Sequence, residues 1–308
     1  MSPRVTISYR FTRPDTTGVH CQSALQNILG KDNVLFIDPD QFATYWEEPK
    51  VDLHFAVDDD GEWTYPEDWK RERAVWLIDT HTNLERRYKR CHSFDQVYCA
   101  QIRGVDEMKG RDYVGEDVAW LPLACNPDMH YRVNGIKKEV DWAFVGHAPR
   151  DRWLPTDRAD LLDILKAEWP NHFCGNAYMD DMMVVFSSAH VCFNRSIIDD
   201  INMRVFEVMA SGTALLTNHL MGQEVLFEPN AHYVGYYDAD DMRHKIKWLL
   251  ENPMIAKRIG DKGRQYALAH HTYEHRMRQV LHECLGWESD RPYINYEERY
   301  RELYRSTE

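Results

Sequence analysis

Short apolar runs alternate with amphipathic stretches along the first 125 residues of the chain. Stretches with the residue spacing of helices lie at 16–29 and 82–91. Runs with the length and residue types of strands lie at 4–9, 33–37, 51–57, 74–78, 96–99 and 118–121. Because strands that alternate with helices build layered sheets, the pattern predicts a doubly wound α/β fold.

The same alternation starts again at residue 140, after a stretch with few periodic signals and two turn dipeptides, Asn126-Pro127 and Asn134-Gly135. Strand-like runs lie at 140–145, 191–193 and 214–217, and helical spacing recurs at 160–168, 242–251 and 254–269. We therefore expect two α/β domains, at 1–125 and 140–272, with a linker at 126–139 and a charged, aromatic tail at 273–308.

Composition narrows the class of protein. The net charge of −13 argues against a dedicated nucleic-acid binder, and the one basic run, at 86–90, is interpreted as a solvated helix face. Seven scattered cysteines without a C-x-x-C pair suit a reducing compartment. No apolar run reaches the roughly 18–20 residues of a membrane helix, and the N-terminus does not resemble a signal peptide. We expect a cytoplasmic protein without a transmembrane segment; its oligomeric state stays open.

The most informative stretch is NRSIIDDINMRVFEVMASG at 194–212, which leads into an apolar run. A helix should begin near Asn202 or Met203, because asparagine is a favoured N-cap residue. The free N–H groups of such a helix start attract phosphate. Glu207 lies about one turn into this helix, where its carboxylate can accept hydrogen bonds from a ribose diol.

This stretch resembles the donor-binding signature of GT-B glycosyltransferases, in particular the branch similar to CgeB spore-maturation proteins. The pattern D-x-N-x-R-x-F-E-x-x-A-x-G of that branch matches from Asp200 to Gly212. Asp199 and Glu207 also fit the two acidic residues of retaining GT-B enzymes, which have seven residues between them, although an aspartate replaces the usual first glutamate. The likeness extends over 141–150, 215–218, 224–253 and 260–277.

The resemblance implies two Rossmann-like domains that face each other across a cleft, with a GT4-type C-terminal domain for the donor and a tail that crosses back. It implies that Glu207 holds the ribose, and that Asn202, Met203 and Arg204 cradle the phosphates. The alternatives are an ion pair between Glu207 and Arg204 on a solvated helix face and an ordinary N-cap. Asp199 would approach the sugar ring or hold the loop.

Three further residues match family positions on the donor side. Gly146 follows a strand, and Arg158 opens the next helix, where its guanidinium would face the pyrophosphate. The alternative for Arg158, as for Arg150 and Arg152, is a place on a helix surface. Asn194 matches the family as well and would position the loop that leads into the signature helix.

Candidate catalytic groups come from the N-terminal half. Asp79 and His81 follow a predicted strand, and similar positions in GT-B enzymes contact the sugar or the acceptor hydroxyl. Either could act as a general base, since histidine titrates near neutrality and a buried carboxyl can be tuned. The alternative is a turn aspartate and a surface histidine. His20, after Gly18, is a weaker candidate of the same kind.

The resemblance implies a glycosyltransferase that binds a nucleoside-diphosphate sugar of UDP or GDP type as co-substrate, with no other cofactor. The acceptor is unknown: a glycan, a protein or a small molecule. The acidic runs at 38–40 and 58–60 superficially match a D-x-D metal site, but they stand beside proline or glycine, where turns favour aspartate, so we expect no metal. Two other functions remain open: a non-catalytic GT-B scaffold in a spore coat or surface assembly, and a nucleotide-sugar epimerase.

Overall fold

A computed structural model of the chain describes residues 2–59, 61–81, 83–110, 118–148, 150, 156–198, 200–289, 291 and 293–305. The chain divides into two compact units. The first unit comprises Met1–Pro122 and Tyr273–Glu308, and the second unit comprises Leu123–Thr272. The domain and linker boundaries expected from the sequence stay predictions beside this division.

The sheet of the first unit consists of six parallel strands: β1 (Val5–Ser8), β2 (Val34–Phe36), β3 (Leu53–Val57), β4 (Glu72–Leu77), β5 (Gln96–Cys99) and β6 (Val118–Trp120). Their order is β2-β1-β3-β4-β5-β6. Three helices follow these strands along the chain: α1 (Thr17–Leu29), α2 (Leu84–Cys91) and α3 (Ile102–Lys109). The inner strands are apolar and buried, as expected where helices cover both faces of a parallel sheet.

The interpretation of the basic run at 86–90 as a solvated helix face is wrong for two of its members. The side chains of Arg87 and Arg90 are only 3% exposed. Nε of Arg87 lies 2.5 Å from Oδ2 of Asp58, and Nη1 of Arg90 lies 3.5 Å from Oδ1 of the same carboxylate. Asp58 follows β3 and is itself buried, so it needs cations beside it, and α2 supplies them.

The second unit contains a five-stranded parallel sheet with the order β11-β10-β9-β7-β8. Its strands are β7 (Val140–Val145), β8 (His172–Gly175), β9 (Ala189–Asn194), β10 (Ala214–Asn218) and β11 (Val234–Tyr236). The helices are α4 (Arg158–Glu168), α5 (Met179–Ser188), α6 (Met203–Ser211), α7 (Gln223–Leu226), α8 (Ala239–Glu251) and α9 (Pro253–His270). Helix α6 begins at Met203, as the sequence predicts.

The tail adds two helices to the first unit, α10 (Tyr273–Leu285) and α11 (Tyr296–Arg305). Helix α10 packs against α1, and Asn27 donates a hydrogen bond to Glu274 across the contact (3.3 Å). Within the described part of the chain, the helices are all too short or too polar to cross a bilayer.

Candidate functional site

The strand order of the second unit reverses between β7 and β9, which lie side by side although β8 separates them along the chain. In doubly wound sheets, ligands bind at the carboxyl ends of the strands at such a switch point. Here β7 leads into Gly146 and β9 ends at Asn194. The backbone N–H of Gly146 donates to the carbonyl of Gly175, at the end of β8 (2.9 Å). The expected donor site therefore coincides with the position that the topology favours.

Arg204 extends from α6 over the carboxyl ends of β9 and β7. Its Nη1 donates to Oδ1 of Asn194 (3.0 Å), and its guanidinium carbon lies 4.7 Å from the ring centroid of Phe144. The Nη2 atom takes the space that a Cβ on Gly146 would need. Burial lowers the pKa of Arg204, while the nearby carboxylates of Glu207 and Asp200 act to raise it. The arrangement excludes the alternative of a surface arginine.

Arg158 is a second cation at these strand ends and is buried, with only 3% of its surface exposed at the start of α4. Its Nε donates to the carbonyl of Arg195 (2.6 Å) and its Nη1 to the carbonyl of His147 (2.8 Å), so it joins the loops after β9 and β7. Its guanidinium carbon lies 5.7 Å from the ring centroid of Phe144. Burial, then the charge of Arg204, lowers the pKa of Arg158 to about 10, which leaves it charged at neutral pH. We call Arg158 and Arg204 the arginine pair.

The other two arginines of the loop between β7 and α4 differ from Arg158. Arg150 is exposed and pairs with Asp163 and with Asp160 (3.4 Å), as expected for a helix-surface residue. Arg152 lies outside the described residues. Of the described arginines in this loop and at the start of α4, Arg158 is therefore the one whose placement suits a bound phosphate.

The N-terminus of α6 opens beside the arginine pair. Asn202 is its N-cap, but the side chain makes no capping hydrogen bond, and the first turn carries no acidic residue. Instead, Nδ2 of Asn202 donates to Oδ1 of Asn194 (3.3 Å), and Oδ1 of Asn202 is buried without a hydrogen-bond partner. Nδ2 of fully buried Asn194 in turn donates to Oγ1 of Thr217 (3.0 Å). With Met203 as the first helical residue, the positive end of the helix is left without an internal carboxylate.

Glu207 lies on α6 with only 8% of its surface exposed, so the alternative of an ion pair on a solvated face is excluded. Its Oε1 lies 3.7 Å from Nε2 of His130, a residue that is 2% exposed. Nδ1 of His130 accepts the backbone N–H of Asn126 (3.0 Å). Because one ring nitrogen accepts, the neutral ring carries its proton on Nε2 and directs it towards Glu207. The sequence pattern contained no signal for His130, which belongs to the predicted linker.

The sequence-predicted residues are divided between the two units. Asp79 and His81 follow β4 in the first unit, whereas the donor-side candidates belong to the second unit. Nδ1 of His81 is buried without a hydrogen-bond partner, so this histidine is not a plain surface residue. Asp199 lies outside the described residues. His20 is fully buried and stacks on Tyr273 (4.9 Å between centroids), and burial lowers its pKa to about 4.

The acidic runs that superficially match a metal motif are engaged with protein groups. Oδ1 of Asp38 accepts the backbone N–H of Asp40 (3.0 Å), as in a turn, and Asp40 pairs with Arg10 (3.0 Å). Asp58 is held by α2, as described above. Asp60 lies outside the described residues. The described carboxylates of both runs therefore serve turns and ion pairs.

Two comparisons with known proteins bear on this site. Residues 131–282 match the model of a family described as glycosyl transferase-like. The match includes all seven donor-side candidates, but not Asp79 or His81, and it begins one residue after His130. No curated protein matches the sequence.

Solved structures of glycosyltransferases match nearly the whole chain. Sucrose-phosphate synthase of Thermosynechococcus elongatus matches 99% of this chain over 100% of its own, with a TM-score of 0.64 and 14% identity. HepE of Anabaena, in complex with UDP and glucose, matches 92% of this chain and 100% of its own chain, with a TM-score of 0.63 and 10% identity. A glycosyltransferase of Rickettsia africae ESF-5 matches 98% over 99%, with a TM-score of 0.59 and 11% identity. At these identities the likeness shows the fold, and the prediction of a GT-B fold is confirmed.

Proposed function

We propose that this chain, with a GT-B fold and a glycosyl transferase-like segment at 131–282, transfers a sugar from a nucleoside-diphosphate sugar to an acceptor. The acceptor oxygen would form a bond to the anomeric carbon while the bond from that carbon to the diphosphate breaks. The acceptor proton would pass to a general base. The protein must therefore hold a diphosphate, stabilise its growing charge and orient a sugar.

The arginine pair is the observation that carries the proposal. Two guanidinium groups lie against the same Phe144 ring, the hydrogen-bond acceptors described for them are uncharged amide and carbonyl oxygens, and the nearby carboxylate of Asp200 offsets part of both charges. Neighbouring cations repel each other, and the repulsion is strong where water is excluded. A diphosphate bound between Arg158 and Arg204 would remove this repulsion, and the N-terminus of α6 would add N–H donors.

Glu207 is proposed to bind the ribose of the nucleotide. Its carboxylate lies on the same helix as the phosphate-binding N-terminus, and a carboxylate can accept a hydrogen bond from each hydroxyl of a vicinal diol. His130, behind it, would hold the carboxylate in place and satisfy an oxygen that the diol leaves free. The HepE structure of the same fold contains UDP and glucose, which supports a UDP-type donor.

The leaving diphosphate would be stabilised by protein cations and N–H groups, which supports a metal-independent, cofactor-free reaction. The spacing of Asp199 and Glu207, with seven residues between them, supports retention of the anomeric configuration. Asp79 and His81 are proposed on the acceptor side as general base or as sugar contacts. The alternatives of a scaffold and an epimerase receive no support from a described contact.

Calorimetry on the Glu207→Gln variant tests the site. Loss of a charged hydrogen-bond acceptor costs about 1.5–3 kcal/mol, so UDP affinity should fall roughly 10- to 100-fold. The affinity for 2′-deoxy-UDP should change much less, because that ligand lacks one of the hydroxyls. Glu251→Gln, at the exposed end of α8, is the matched control and should leave both affinities unchanged. Equal losses for both ligands would contradict the ribose assignment.

Product analysis tests the reaction itself. With a UDP-sugar and no acceptor, a transferase should release UDP and free sugar slowly, since water replaces the acceptor. Appearance of an epimeric UDP-sugar would establish the epimerase instead, and absence of any nucleotide binding would favour the scaffold.

A further inference from the structure

A cavity of about 410 Å³ lies within the second unit, at the opposite edge of the sheet from the arginine pair. Its lining includes Ala214, where β10 begins, and Gly212, just after the C-terminal end of α6. In a parallel sheet the amino and carboxyl ends of the strands lie at opposite edges. A strand of five residues spans about 16 Å, so this amino-edge cavity is separate from the proposed donor site.

The walls of the amino-edge cavity are apolar on one part and cationic on another. The apolar part is formed by Val133, Ile136, Ala214, Pro253, Met254 and Ala256. The basic side chains are Arg132, Lys138, His190 and Lys257. Among the described residues that line the cavity none is acidic, although the whole chain carries a net charge of −13.

The cations of the lining outnumber the carboxylates that neutralise them. Arg132 and Lys257 share the single carboxylate of Asp261, each at 2.5 Å. Nζ of Lys138 donates to two uncharged oxygens, the carbonyl of Ala189 (2.6 Å) and Oγ1 of Thr213 (3.1 Å). An ammonium group has three N–H donors, so one remains to meet a ligand. The cavity therefore presents a surplus of positive charge beside an apolar surface.

We propose that the amino-edge cavity binds a small amphipathic anion, with a phosphate or carboxylate head at Lys138 and Lys257 and an apolar body against Ile136 and Met254. The volume falls within the range of about 300–1,000 Å³ that is usual for small-molecule sites. The surplus positive charge selects an anion, and the apolar wall selects a hydrocarbon body rather than a bare ion. The site does not depend on the proposed glycosyl transfer.

Octyl phosphate is the probe, with protein labelled at the methionine methyl groups and observed by NMR. The methyl signal of Met254, assigned with Met254→Leu, should shift on titration and give a dissociation constant of about 0.1–1 mM for a ligand of this size. Octanoate should shift the same signal. The ratio of its dissociation constant to that of octyl phosphate shows whether the site prefers a carboxylate head or a phosphate head. Neutral 1-octanol and inorganic phosphate should each bind at least tenfold more weakly.

Variants locate the head group. Lys138→Met and Lys257→Met should each weaken octyl phosphate at least fivefold, while Lys262→Met, on the exposed face of α9, is the matched control and should have no effect. UDP should not compete. An unshifted Met254 signal, octanol binding as tight as octyl phosphate, or displacement by UDP would each overturn the proposal. The Met254 readout on the unmodified chain remains decisive if a lysine variant fails to fold.

Discussion

Gly146 and Arg204 share one small space at the carboxyl ends of β7 and β9: a Cβ on residue 146 would overlap Nη2 of the arginine. Gly146 also has a φ of +140°, which side-chain-bearing residues rarely adopt. A side chain at position 146 would therefore have to displace the guanidinium of Arg204, and its residue would also have to adopt a rarely used φ. The glycine thus belongs to the proposed phosphate site even though it contributes no side chain.

Gly146→Ala should displace Arg204 and weaken UDP binding at least tenfold, while uridine binding changes little because it lacks phosphate. Calorimetry with both ligands measures the difference. Gly175→Ala is the matched control: Gly175 is the last residue of the neighbouring strand β8, and its Cβ would meet only Phe173, at an ordinary 3.8 Å. A Gly146→Ala protein that binds UDP normally would show that Arg204 is not needed at the phosphates.

Arg204→Lys should also lower UDP affinity, by about tenfold, although the charge is kept. Lysine cannot reproduce the planar fork that joins Asn194 to a phosphate, and a charged hydrogen bond contributes about 1.5–3 kcal/mol. Arg150→Lys, at the exposed arginine between β7 and α4, is the control and should leave the affinity for UDP unchanged. Weakening of equal size in the two variants would point to general electrostatic attraction instead of a specific contact.

His130→Phe should weaken UDP by about three- to tenfold and 2′-deoxy-UDP by less, because it removes the Nε2 atom that lies 3.7 Å from Oε1 of Glu207. His130→Asn keeps an acceptor for the Asn126 N–H and a donor, and should recover part of the loss. His172→Phe preserves a stacked ring on Trp142 and serves as the control. If the role of His130 is purely structural, His130→Phe will lower thermal stability, and the affinities for UDP and 2′-deoxy-UDP will change by the same factor.

His20 predicts how stability depends on pH. Burial lowers its pKa from 6.5 to about 4, so the unfolded chain binds this proton more tightly than the folded chain. Stability is therefore retained above pH 6.5 and lost as the pH falls from 6.5 to 4, by about 3 kcal/mol from this group. Urea unfolding of His20→Gln should show a flatter dependence over this window, whereas exposed His244→Gln should keep the original slope. If the free energy of unfolding of His20→Gln depends on pH as steeply as that of the unmodified protein, protonation of His20 is not the cause of this dependence.

Elements with strong periodicity could be predicted from the sequence alone. Strand β5 and the start of α6 occur where they were expected, since an apolar strand core and an N-cap asparagine are local signals. Helix α3 was not predicted because it has only two turns and contains Gly104. Strand β8 was not predicted either, because it lies at the edge of its sheet and its residues are only half-buried.

The candidate site could be located from the sequence only in part. The residue types of the signature point to Arg204 and Glu207 as candidates, but their enclosed positions could not be foreseen, since isolated arginines and glutamates usually lie on the surface. The contact between Glu207 and His130 joins positions 77 residues apart in the chain, so no local pattern reports it. Long-range proximity of this kind follows from the packing of the whole unit.

The guanidinium of Arg158 donates hydrogen bonds to the carbonyls of His147, after β7, and Arg195, after β9, so it connects the two loops that follow these strands. Replacing only one of these loops would disturb one of the two hydrogen bonds of Arg158. The segments around His147 and Arg195 would have to be exchanged together with Arg158, as a single cassette.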